Sequence, residues 1–200
     1  AHPESCSRDE NGNSTGVSYA STTWRTAVGN YFNALLDHVL SQPYAGYVFA
    51  VKLGAGRTYE WQYYGQSDSS FADFGTEAIS AFRAWLAAKY GTDANLRNAW
   101  GNSSVTLNTA NVPSAKERAR TDYGTVLNGK TQRNVIDFHL FLSDATTDSI
   151  LFYSKLIKEK VGGKWIVGTY NGYQTVALNY EGTSITNASV SRLLSSPYID

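Results

Sequence analysis

The chain has 200 residues, 42% of them hydrophobic and 14% aromatic, enough for one domain, or at most two, with a real core. Seventeen basic residues balance seventeen acidic ones with no Lys/Arg-rich block, so the electrostatic footprint of a nucleic-acid binder or a membrane-surface protein is missing and the expected partner is uncharged. Fourteen Tyr, eight Phe and five Trp suit either core packing or stacking on flat apolar faces such as those of sugar rings.

The first twenty or so residues are rich in Ser, Asn, Gly and Asp and read as a surface loop ending in a helix cap at Ser21 or Thr22. Cys6 stands alone, so no internal disulfide can form, and no His or Cys spacing suggests zinc. No metal or organic cofactor is expected. The chain starts without Met, as a cut or processed product would, and has no apolar run of about 18 residues to span a membrane. The redox compartment stays open, with a secreted or periplasmic setting slightly favoured over a cytoplasmic one.

Trp24, Val28, Tyr31, Phe32, Leu35, Leu36 and Val39 recur at three and four residues, the stripe of an amphipathic helix that stops before Pro43. "GYVFAVKL", 46 to 53, is short, β-branched and nearly continuous in apolar character, which predicts a parallel strand covered on both faces. "GAGRTYEW" then leaves it. A second helical pattern runs from Thr76 through Ile79, Phe82, Trp85, Leu86 and Tyr90 to a stop at Gly91, with Glu77 in the first turn where the helix dipole favours an acid. A short helix around Leu96, Ala99 and Trp100 ends at Gly101. Residues 102 to 134 contain Pro113 and the charged "KERARTD" and read as a long loop with one helical turn, of a length that is usually functional or mobile.

Apolar residues from Val135 to Ile157 mark a long helix closed by Gly162 and Gly163. "KWIVGTYNGY", 164 to 173, repeats the grammar of helix, Gly turn, buried strand and polar-aromatic loop. A last helical segment covers roughly Ala188 to Leu194, and "SPYID" looks like the approach to a third strand. Strands alternating with helices predict an α/β fold of βαβ units, with a parallel sheet and right-handed crossovers, as one domain over residues 1–200.

In such sheets the ligand site lies beyond the carboxyl ends of the strands. Glu60, in "TYEWQYYG" with Arg57 just before it, sits there, as do Tyr170, Asn171 and Tyr173 after the second strand. Position alone is equally consistent with a surface glutamate paired to Arg57, and with a turn of packed tyrosines at 170 to 173. His139 reads as a hydrogen-bonded structural histidine, Asp137 as a helix cap, Asp144 as a helix-surface acid, and Trp85 and Trp100 as packing.

Several stretches, in order, resemble the catalytic barrel of retaining glycoside hydrolases of the β-galactosidase-containing clan, and most of all the thermophilic-type β-galactosidase family. "HPESCSRDENG" with "SYASTTWR" is similar to that family's "HPE…D.dG" loop and following helix. "FRAWLAAKYGTDANLRNAWG", 82 to 101, resembles its "FR.WL..KYGt…LN.AWG" segment, and "VIDFHLFLSD", 135 to 144, its "LDF..F.SD". The resemblance implies parallel βα units of a partial (β/α)8 (TIM-type) barrel, from about the third unit to the start of the sixth strand, where a whole barrel takes about 250 residues. It places Glu60 at the general acid/base, with Tyr59 where the family usually carries Asn, and puts the nucleophilic Glu after a seventh strand, outside these residues.

The same resemblance implies retaining hydrolysis of O-glycosidic bonds, a chemistry that needs two carboxyl groups about 5 Å apart. Tyr59, Trp61, Tyr63 and Tyr64 would supply an aromatic, partly dry setting that raises the Glu60 pKa, although alternating side chains cannot all face a cleft. Trp61 and Tyr63, with Arg57, Tyr170, Asn171 and Tyr173, are the expected sugar contacts. Glu4, Asp9, Glu10, Asp68, Asp73 and Glu181 are the in-chain candidates for a second carboxylate, and an Asp of the 68–73 loop would make the enzyme an inverting one. The other expectation is a non-catalytic carbohydrate-binding or structural half-barrel that covers its open sheet by homo-oligomer formation, unless the remainder of the barrel does so.

Overall fold

The computed structural model describes residues 2–56, 59–63, 71–119, 127–171 and 188–200. The polar opening is not a loop but a hairpin, β1 (Cys6–Arg8) paired antiparallel with β2 (Ser14–Val17). Asp9 builds its turn, accepting from the Asn11 and Asn13 amides, while Gly12 takes φ +83°. Strands of only three and four residues, "CSR" and "STGV", carry no apolar alternation, so the pattern that announces a strand was never present. Ser21 does cap the next helix, α1 (Thr22–Leu40), accepting from the Trp24 amide at 2.9 Å. Its apolar stripe is narrower than the spacing suggests: Trp24, Val28, Phe32, Leu36 and Val39 pack inward while Tyr31 and Leu35 are exposed.

The expected eight-residue strand is shorter. A 3-10 turn over Ala45–Tyr47 precedes β3 (Ala50–Leu53), which pairs in parallel with β4 (Ile166–Thr169), Ala50 opposite Ile166 and Leu53 opposite Thr169. Nor is it covered on both faces. Leu53 and Val167 are buried, but Ala50, Lys52 and Ile166 are exposed, and Tyr47 and Phe49 before the strand are 85% and 70% exposed. Continuous apolar character anticipates two covering layers, and here helices supply only one. Among the described residues this sheet has two strands and no closed barrel forms.

Between the two strands run α2 (Thr76–Tyr90), α3 (Asp93–Trp100), α4 (Ala115–Ala119) and α5 (Arg133–Lys160). Gly91 and Gly101 end the first two at positive φ, and Thr92 caps the second on the Asn95 amide. The single turn expected in the 102–134 stretch is α4. Ser114 and Glu117 cap it reciprocally, the Ser114 amide donating to Glu117 Oε2 and the Glu117 amide to Ser114 Oγ.

Helix α5 is the spine, packed against α1, α2 and both strands of the parallel pair. Two aromatic clusters flank it. Phe82, Trp85, Trp100, Phe138 and Phe141 fill one, and Tyr19, Trp24, Phe32, Trp61 and Tyr153 fill the other. None of the five Trp is exposed, so the indole content serves the core first.

Asp137 is not a helix cap: it lies inside α5, fully buried. Its Oδ1 accepts from Lys89 Nζ at 2.7 Å and Arg133 Nε at 3.1 Å, and its Oδ2 from the Tyr90 hydroxyl at 2.6 Å and Trp100 Nε1 at 2.8 Å. Asp144 likewise joins elements, taking Trp85 Nε1 from α2 and Ser189 and Arg192 from the segment holding α6 (Val190–Leu194). The chain then returns to the sheet. The Asp200 amide donates to Val167 O at 3.0 Å, and its carboxylate accepts from the Val167 amide and from Lys158 Nζ, so residue 200 lies against the edge of β4 not used by β3.

Candidate functional site

Beyond the carboxyl end of β3 the backbone departs from ordinary geometry. Trp61 donates its amide to Ala55 O at 3.0 Å, folding residues 59 to 63 back over the strand exit. Tyr59 and Trp61 both take left-handed backbone conformations, φ +64° and +57°, with Glu60 between them. Non-glycine residues in that region cost on the order of 1–3 kcal/mol each and persist only where the surroundings enforce them, most often at functional sites. The Gly positions of "GAG" make the fold-back possible. A Cβ on Gly54 would meet the Tyr59 Cβ at 2.6 Å, and one on Gly56, itself at φ +75°, would meet Gln62 O at 2.9 Å.

Glu60 is half-buried at this rim and Tyr59 beside it is 67% exposed. Because Leu53 and Thr169 are in register, Tyr170 and Asn171 leave β4 at the level where the Glu60 loop leaves β3. Thr169 Oγ1 donates to Leu53 O there, and Lys52 Nζ stands 3.1 Å from the Tyr170 ring centroid. The Asn171 side chain keeps its amide nitrogen and oxygen buried without a hydrogen-bond partner among the described residues.

Two expected sugar contacts turn the other way. Trp61 and Tyr63, 2% and 6% exposed, point into the core, the indole against Tyr19 and Tyr153 and the Tyr63 hydroxyl accepting from the Tyr19 amide at 3.1 Å. The two left-handed residues break the alternation, so Trp61 and Tyr63 turn inward while Tyr59, two positions before Trp61, stays exposed beside the acid. Nothing in the spacing of "TYEWQYYG" distinguished the two sets, because the left-handed residues break the strand period. Burial pushes the Tyr63 phenol well above its ordinary pKa, with the Asp73 charge adding to the effect. Arg57, Tyr64 and Tyr173 lie outside the described residues, as do Asp68 and Glu181.

The remaining acids have other work. Glu4 is exposed and bonded to His2, Asp9 holds the hairpin turn, and Glu10 accepts from the Ala115 amide. Asp73 is buried and accepts from the Gly75 amide at 2.8 Å and the Arg8 amide at 3.3 Å; burial raises its pKa above the usual carboxylate range, against the pull of those bonds. It is turned into the core, so it does not supply the open carboxylate that the inverting alternative needs. Among the described residues no cluster of three or more His, Cys, Asp or Glu could hold a metal ion, and no helix is long and apolar enough to cross a membrane.

The family model for the β-galactosidases matches residues 1–189. The chain belongs to glycoside hydrolase family 42, the β-galactosidase family. Solved structures agree on the fold of this family 42 chain. The β-galactosidase of psychrophilic Marinomonas ef1 superposes with a TM-score of 0.60 at 19% identity over 84% of this chain and 24% of that one. The enzyme of the Antarctic haloarchaeon Halorubrum lacusprofundi gives 0.60 at 17% identity with the same coverage. The catalytic domain of a Paenibacillus polymyxa β-amylase gives 0.65 at 16% identity, over 84% of this chain and 42% of that one. These neighbours are (β/α)8-barrel glycosidases, and the chain spans about a quarter of the length of the two β-galactosidases. No curated protein sequence matches it significantly.

A buried basic pair, Arg118 and His139, lies in the interior of this family 42 chain. Arg118, 1% exposed, donates Nη1 to Ala72 O at 2.6 Å between the rings of Phe71 and Phe138, and burial pushes its pKa down to about 9. His139 is buried but not hydrogen-bonded, for neither ring nitrogen has a partner among the described residues. Burial first, then the Arg118 charge, hold its pKa down to about 3 from an ordinary 6.5.

Above pH 6.5 the ring is neutral folded or unfolded and leaves stability unchanged. Below it only the unfolded chain gains the proton, so stability falls by about 1.4 kcal/mol per pH unit until the folded ring titrates near pH 3. Replacing His139 with Leu is expected to flatten the stability profile from urea unfolding between pH 6 and pH 4. A slope identical to that of the parent would show that the imidazole is hydrated in the folded state.

Proposed function

We propose that this chain carries the acid/base half of a retaining β-galactosidase site, with Glu60 protonating the glycosidic oxygen and then deprotonating the attacking water. The observation that carries the reading is the paired left-handed backbone at Tyr59 and Trp61, which spends conformational energy to present one half-buried carboxyl group at the rim of a parallel sheet. Family membership supplies the reaction class. The nucleophilic carboxylate comes from a segment other than these 200 residues, about 5 Å from Glu60, as double displacement requires.

Tyr59 and Tyr170 offer exposed ring faces to the sugar, and Asn171 is proposed as a further contact on its place beside Tyr170 at the exit of β4. Trp61 and Tyr63 support the turn from beneath. Arg57 and Tyr173 are proposed as further sugar contacts on position along the chain. The substrate is a neutral carbohydrate, in keeping with the balanced charge.

Proton NMR during hydrolysis of an aryl β-galactoside by the intact protein tests the mechanism. The first-formed galactose is expected as the β anomer, relaxing to the equilibrium mixture afterwards. First appearance of the α anomer would replace double displacement with a single inverting step.

A second reading keeps the sugar contacts without the chemistry: a half-barrel that covers its own open sheet by self-association. It draws on the exposed Ala50, Lys52 and Ile166 face and on Tyr47 and Phe49 at its lower end. Sugar binding without turnover by a sizing-column dimer would favour it.

A further inference from the structure

We propose that Tyr19 is the positioning residue that holds the Glu60 turn in its working shape, an inference that rests on the glycosidase reading above. Tyr19 comes from the segment between the amino-terminal hairpin and α1, far from Glu60 in sequence, and is 1% exposed. It grips the turn at consecutive points. Its hydroxyl donates to Gln62 O at 3.0 Å, its amide donates to the Tyr63 hydroxyl at 3.1 Å, and its ring lies 5.5 Å from the Trp61 ring and 4.8 Å from that of Tyr63.

The hydroxyl adds to the crowding at Gly56, where a Cβ would lie 3.1 Å from it as well as 2.9 Å from Gln62 O. Tyr19 is itself clamped. Its carbonyl accepts from Ser149 Oγ at 2.8 Å and Arg25 Nη2 at 3.1 Å, and Arg25 Nε donates to the same Ser149 oxygen, so the support runs through α1 into the spine helix α5. A left-handed residue survives when its neighbours leave it no alternative, and Trp61 is fixed on one side by Ala55 and on the other by Tyr19. Losing the hydroxyl would leave the ring packing intact while removing the donor to Gln62 O. The carboxyl group of Glu60 would then sample positions away from the glycosidic oxygen, and catalysis is steeply sensitive to such displacement.

The test is Tyr19→Phe in the intact protein, beside Glu60→Gln. Tyr19→Phe is expected to lower kcat for an aryl β-galactoside about ten-fold with KM little changed. Hydrogen exchange at the Trp61 amide should quicken while the Leu86 amide of α2 stays as protected as before. A purely structural role would instead show as faster exchange throughout and a lower Tm, with kcat per folded molecule unchanged, and that would overturn the proposal. So would unchanged kcat and unchanged Trp61 exchange. If Glu60→Gln turns over an alkyl β-galactoside as fast as the parent, the acid/base role of Glu60 falls, and the Trp61 exchange rate in Tyr19→Phe still decides whether Tyr19 holds the turn.

Discussion

Glu60→Gln in the intact protein is expected to lower kcat for alkyl β-galactosides by about 10²–10⁴-fold, the range that a positioned proton donor contributes. The substitution keeps the shape and volume of the side chain at a half-buried position, so folding should be undisturbed. An amide can neither donate a proton to the departing oxygen nor accept one from water. The loss should depend on the leaving group, because a phenol of low pKa departs with little help, whereas an alcohol needs the proton in the transition state. A smaller penalty on glycosylation by activated aryl galactosides, with deglycosylation still slow, is therefore part of the expected result. Equal rates for the parent and Glu60→Gln on an alkyl galactoside would remove Glu60 from the chemistry.

Asp137→Ala is expected to cost about 3–5 kcal/mol of stability, the penalty for breaking a buried ionic network by removing one partner. In a chain of this size that corresponds to a Tm lower by roughly 10 °C. The carboxylate satisfies four donors from three helices at once, and its removal leaves Lys89 and Arg133 without their counter-charge and Trp100 Nε1 without an acceptor. Asp137→Asn should cost less, since it keeps one acceptor oxygen and the volume. Thermal and urea unfolding, read by near-ultraviolet dichroism of the packed Trp residues, measure both. A loss below about 1 kcal/mol in the alanine variant would mean that the helices hold their arrangement without this hub.

Helices were legible because their signals are local. The Ser21 cap, the Gly91 and Gly101 stops and the apolar spacing of α2 and α5 each act within a turn or two, and the structure ends its helices where those residues stand. The hairpin at residues 6 to 17 was not legible, since its strands are polar and its turn rests on Asp9 side-chain bonds rather than on hydrophobic pattern. Asp137 looked like a cap because sequence shows an acid near a helix start without showing that Lys89, Tyr90 and Trp100 arrive from elsewhere to surround it.

By itself the sequence determined the order of the helices, the parallel strand exits and the placement of one acid, Glu60, just beyond the first of them, because strand and helix periods are written in neighbouring residues. Only the tertiary structure decided which aromatic rings surround that acid as surface and which as core. That choice depends on two left-handed residues held by Ala55 and Tyr19. Contacts between residues tens of positions apart set such conformations, and no local spacing encodes them.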